Sequence, residues 1–161
     1  MAGPGPRRQA REAALQVLFA ADVGAELDPE SVATAFDDVL REFSLPQRAR
    51  DRAIEVVRGV AENRKTIDEA ISARSTHWKV ARLATVDRNI LRVATWELLF
   101  DPRIPTEVVI DEAVEIARRF GGSASPAFVN GVLDQIAQCA TPGTEAAARE
   151  GSGEQEGEGS P

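Results

Sequence analysis

The chain is 161 residues long, 43% hydrophobic and only 5% aromatic, with a formal charge of −7. That is enough for one domain, or two small subdomains sharing a mainly aliphatic core. It has no apolar run of about 18 residues to span a membrane, no hydrophobic region at its start to act as a secretory signal, and a lone cysteine, Cys139, that fits a reducing cytoplasm.

Net negative charge disfavours nucleic acid, but the charge is unevenly spread. From Pro142 onward five glutamates stand against Arg149, a net −4 that leaves the rest near −3. Residues 141–161 read as a disordered acidic tail. Residues 1–6 are Gly/Pro-rich and read as disordered too. The segment 7–140 between them is the folded body.

From Arg7 to about Asp22 the spacing predicts a helix with Ala10, Ala14, Val17, Leu18 and Ala21 on one face. Arg7, Arg8 and Arg11 share a side of it. A bare trio of this kind reads first as a solvated helix end; three cations at a helix start oppose its dipole, which shifts the balance towards an anionic partner. Asp28-Pro29 is a cap-then-proline start for a helix carrying Val32, Ala35, Phe36, Val39, Leu40 and Phe43. Ser44 with Gln47 is a capping-box candidate. The stripe from Ala49 to Ile71 then reads either as one helix of about seven turns, with Gly59 tolerated, or as two helices broken near Asn63.

The pattern lapses around His77-Trp78, and Val80 to Leu83 is a short helical turn. His77 has no metal-ligand spacing around it, and Trp78 is expected to fill a gap between subdomains. Thr85 to Phe100 is the most apolar helix and should be central, with Thr85 as its cap. Arg88, Arg92 and Thr95 form its polar stripe, the part that can face outward. Glu97 falls on the apolar side and needs a partner if buried. After Asp101-Pro102 and Ile104-Pro105 another helix runs from Thr106 to Phe120, stopped by Gly121-Gly122. Ser125-Pro126 opens a last helix, in which Asn130-Gly131 implies close approach of a neighbouring helix.

No strand pattern, fixed-period repeat, phosphate loop, metal spacing or nucleophile-histidine pair is present. Catalysis finds no support, and no cofactor is expected.

Three stretches together resemble the bacterial transcription antitermination factor NusB family, over roughly residues 7–140. They are the arginine-led start (Arg7 to Ala14), the central Val86-Asp87-Arg88-Asn89-Ile90-Leu91-Arg92, and a closing block. That block runs from Pro105 to Leu133 and contains Val109 to Ala117 and Phe128-Val129-Asn130-Gly131-Val132-Leu133. The resemblance implies an all-α fold of about seven helices in two small bundles sharing a long axis, with subdomains of about 7–83 and 84–140. It implies a non-catalytic, cytoplasmic RNA-binding adaptor. Such proteins pair with the ribosomal protein NusE, bind single-stranded boxA RNA of ribosomal RNA leaders, and work on RNA polymerase with other Nus factors.

Carried over by position, the implied RNA contacts are Arg7, Arg8, Arg11, Arg92 and the loop Ser123-Ala124-Ser125. Asp87 and Arg88 fall at the implied partner-protein surface; Glu97, Asn130 and Gly131 are read as structural. The sequence departs from the family pattern at Gln9, where a third basic residue is common, at Ser123-Ala124, where an acidic one is, and at Pro126-Ala127. Two alternatives stay open: a homodimeric interaction module, and a relative of the RNA-binding domain of ribosomal RNA cytosine methyltransferases. The absence of room for a catalytic domain favours the stand-alone factor.

Overall fold

A computed structural model describes residues 5–42, 44–75 and 79–140. Phe43, His77, Trp78 and the acidic tail lie outside them, so the roles expected of those residues do not enter the structural account.

The elements in order are α1 (Pro6–Ala21), a hairpin of β1 (Asp22–Val23) and β2 (Glu26–Leu27), α2 (Pro29–Glu42), α3 (Gln47–Glu62), α4 (Arg64–Arg74), a 3-10 turn (Val80–Arg82), α5 (Thr85–Phe100), α6 (Thr106–Phe120) and α7 (Ser125–Cys139). The fold is all-α, with seven helices among the described residues. Pro6, expected in a disordered segment, is the first residue of α1, where a missing N–H costs nothing.

Helix α5 is central. It touches α1, α3, α4, α6 and α7. Leu18, Val60, Ile67, Leu91, Val129 and Leu133 are buried in one hydrophobic cluster that spans both halves of the chain. Each such side chain contributes about 1.5–3 kcal/mol by leaving water.

The helix ends follow local chemistry, not always as expected. Asp28 caps α2: its Oδ2 accepts from the Ser31 N–H at 3.1 Å. Ser44 and Thr85 do not cap. The N-cap residues are Pro46 for α3 and Ala84 for α5, and neither makes a side-chain cap bond. Gln47 instead donates to Asp51 at 2.7 Å. The 49–71 stripe is two helices. Asn63 Nδ2 donates to the Gly59 carbonyl at 2.8 Å, and this local bond competes with helix continuation.

The close-approach glycine is Gly59, not Gly131. A Cβ on Gly59 would lie 2.2 Å from the Trp96 ring, whereas one on Gly131 would meet nothing within 4 Å. Asn130 and Gly131 are both exposed, because α7 turns Val129, Val132, Leu133 and Ile136 inward. The structural role expected of the Asn130-Gly131 pair is therefore corrected.

The hairpin is a second correction, since no strand was expected. It pairs Asp22 with Leu27 and Val23 with Glu26, antiparallel. Gly24 and Ala25 both have positive φ, 59° and 73°, the primed turn that suits a two-residue hairpin. Ala25 is strained there, and two bonds hold it. Its N–H donates to Asp22 Oδ1 at 2.9 Å, and its carbonyl accepts from Arg92 at 2.6 Å.

Candidate nucleic-acid interface

The arginines expected to face outward on α5 are buried. Arg88 is 3% exposed, and Arg92 and Thr95 are 0%. The hairpin and α4 cover that face and bring carboxylates to it. Arg88 forks onto Asp22, with Nε and Nη2 each 2.7 Å from an oxygen, and its Nη1 donates to the Leu83 carbonyl at 2.9 Å. Arg92 uses all five donors: two to Asp68 at 2.9 Å, one each to Asp22 and Asn89 at 3.1 Å, and one to the Ala25 carbonyl. Burial pushes the Asp22 carboxyl up. The hydrogen bonds from Arg88 and Asn89 and the charges of Arg88 and Arg92 outweigh that and hold it below the usual carboxylate range. Arg92 has no donor left for RNA, and Arg88 is closed off from a partner protein. Both are structural.

The arginine trio divides in the same way. Arg11 is buried and forks onto Glu97, itself 1% exposed, with both contacts at 2.8 Å. The partner that Glu97 needs is thus Arg11, and the pair ties the start of α1 to the end of α5. Arg8 is half-buried and forks onto Glu112 at 2.7 and 2.8 Å. The hydrogen bond from Arg8, reinforced by the charges of Arg8 and Arg11, outweighs burial and keeps the Glu112 carboxyl below its ordinary value. Arg7 alone of the three is exposed, with no ion pair among the described residues.

Ser123 and Ala124 are exposed, but Ser125 is buried, and its Oγ accepts from the Gly122 N–H at 2.9 Å. Ser125 closes the turn between α6 and α7 rather than presenting a hydroxyl outward. Arg8 pairs with Glu112 and Glu12 with Arg119, so two ion pairs link α1 to α6. Among the described residues no hydrogen bond or ion pair joins Arg7, Arg8 or Arg11 to Ser123, Ala124 or Ser125.

Near the hairpin the structure adds residues that sequence reasoning missed. Phe19 and Val23 are 49% and 75% exposed. Asp22, between them in the chain, is bonded to Arg88 and Asn89, which ties the start of the hairpin to the first turns of α5. Asp87 is half-buried, and its Oδ1 has no hydrogen-bond partner among the described residues. A signal existed: Phe19 lies off the apolar face of α1.

The NusB family model matches residues 8–138. The chain belongs to the NusB family. It is 50% identical over 134 residues to the transcription antitermination protein NusB of Sorangium cellulosum, covering 83% of this chain and 93% of that protein. It is 46% identical over 132 residues to the NusB of Bdellovibrio bacteriovorus, covering 81% and 93%. Among solved structures it superposes on T. maritima NusB with a TM-score of 0.76 at 40% identity, covering 91% of this chain and 99% of that one. It also superposes on a chain of antitermination factors NusB and NusE in complex with dsRNA, with a TM-score of 0.72 at 27% identity, covering 83% and 97%. No helix is long and apolar enough to cross a membrane among the described residues.

Proposed function

We propose that this chain is a transcription antitermination factor of the cytoplasm: a non-catalytic adaptor that pairs with a NusE-type ribosomal protein and holds boxA RNA of ribosomal RNA leaders. The observation that carries this is the likeness, over most of both chains, to a NusB solved with NusE and RNA. The residues fit the role. Arg7 offers a guanidinium with no ion pair among the described residues for phosphate contacts or for stacking on an unpaired base. The exposed Ser123-Ala124 loop follows α6, the helix that carries Glu112, the partner of Arg8. Phe19, Val23 and Asp87 form the partner surface: an apolar centre with a polar edge, the anatomy of a protein interface.

The test is an RNA shift assay with and without the ribosomal partner, at several salt concentrations. The pair is expected to bind boxA RNA more tightly than this chain alone, with affinity falling steeply as salt rises. Phe19→Asp should remove the gain from the partner while leaving the weak RNA binding of the single chain. No RNA binding by the pair, or full partner binding by the variant, overturns the reading.

A further inference from the structure

Two arginines from different helices converge on Glu97. Arg11 forks onto it at 2.8 Å, and Arg52 Nη2 lies 3.8 Å from Oε1. Each has another arginine four residues earlier on its own helix: Arg7 on α1 and Arg48 on α3. Four residues is just over one turn, so Arg7 and Arg48 repeat the inner pair roughly 6 Å nearer the end of the bundle. The two helices are in contact here through Ala10, Ala13, Ala49 and Ala53, short side chains that allow close axes.

The two pairs differ in what they meet. Glu97 and Asp101 close the inner pair, with Arg52 Nη1 2.7 Å from Asp101. The outer pair is exposed and has no ion pair or hydrogen bond among the described residues. The carboxylates nearby are engaged elsewhere: Glu112 by Arg8, Glu55 by Arg52 and Arg103, and Asp51 by Gln47. Arg7 and Arg48 each occupy the second position of their helix, where a cation opposes the dipole, so neither stabilises the helix that carries it.

We propose that Arg7 and Arg48 form a two-arginine clamp on a backbone phosphate of the bound RNA, extending the nucleic-acid surface from α1 onto α3. The proposal rests on the RNA-binding reading above. Phosphate fits better than an acidic protein face. Guanidinium forks match phosphate oxygens, and the exposed residues flanking the pair (Gly5, Pro6, Pro46, Gln47) include no large apolar side chain to build an interface core.

The experiment is a fluorescence anisotropy titration of labelled single-stranded boxA RNA with the full chain and saturating ribosomal partner, across a salt series. Arg48→Ala is expected to weaken binding about 3- to 10-fold. It should also reduce the slope of log affinity against log salt, by less than the about 0.7 of one phosphate on a single strand, since Arg7 stays on the shared phosphate. The Arg7→Ala, Arg48→Ala double variant should lose less than the sum of the singles, as two groups on one phosphate do. Arg58→Ala, also exposed and without an ion pair among the described residues but ten residues along α3, should bind as wild type. If Arg48→Ala matches wild type while Arg7→Ala is weakened, the clamp is overturned and the RNA-binding reading stands. If the wild-type pair binds no RNA, both fall. If Arg48→Ala weakens the partner protein and not RNA, the surface is a protein contact and the clamp is overturned. Unchanged melting curves for each variant show that the effect is not unfolding.

Discussion

Arg11 and Glu97, 86 residues apart, form a buried two-pronged ion pair that joins the start of α1 to the end of α5. The same arginine was expected at the RNA surface. Burial and two engaged nitrogens make it instead the group that satisfies a carboxylate on an otherwise apolar helix face. A pair of this kind adds little net stability over an apolar isostere, but breaking it from one side is strongly destabilising.

Arg11→Ala is therefore expected to destabilise the fold by about 3 kcal/mol, since it leaves the buried Glu97 charge with only Arg52, 3.8 Å away, in place of a two-pronged hydrogen-bonded partner. Urea denaturation measures this. The folded fraction should keep the wild-type salt slope for RNA. A reduced slope would return Arg11 to the interface.

Gly59 and Gly131 should respond in opposite senses to alanine. At Gly59 the added methyl meets the Trp96 ring, a large side chain that is itself buried, and the overpacking should cost about 1–3 kcal/mol. At Gly131 the space is open, and alanine should stabilise α7 by up to about 1 kcal/mol. Thermal unfolding of the two variants would show melting temperatures moving apart. A loss at Gly131 would mean that the exposed turn of α7 is under a constraint this packing does not contain.

The hydrogen bond from Arg103, helped by Arg52, holds the Asp101 carboxyl down at about 2 against an ordinary 3.8. Asp22 and Glu112 are shifted in the same direction. A carboxylate depressed in the folded state stabilises the fold above its unfolded pKa. That stability is lost as pH falls through the folded value, because the unfolded chain takes up protons first. Stability should thus be level above about pH 5 and fall between about pH 4 and 2. Asp101→Asn should remove about 1–2 kcal/mol of that fall, less than the full shift because Arg103 is largely exposed. Denaturant titrations at pH 5 and pH 2.5 give the comparison; an equal drop in both proteins would exclude Asp101 as a contributor.

Much of the fold was legible because helical periodicity is local. The apolar stripes of α2, α5, α6 and α7 appear in the sequence at the spacing that the structure buries, except at Phe100 and Phe120, which end α5 and α6 exposed. Glu97 announced its need for a partner by falling on the wrong face. The hairpin was not legible: two-residue strands carry no alternation, and Ala25 gives no hint of a positive φ. Gly59 and Gly131 were indistinguishable as glycines inside helices until a neighbouring ring was found beside one of them.

The sequence by itself determined the family, the helices and the residues that could carry charge to a partner. Which arginines are left free to do so was decided by tertiary structure. Whether a guanidinium is spare depends on a carboxylate far along the chain. Asp22 reaches Arg88 and Arg92 across 66 and 70 residues, and Glu112 reaches Arg8 across 104. Desolvation is tolerable for Arg92 because five acceptors surround it. Arg7 and Arg48 have none among the described residues, and they stay at the surface.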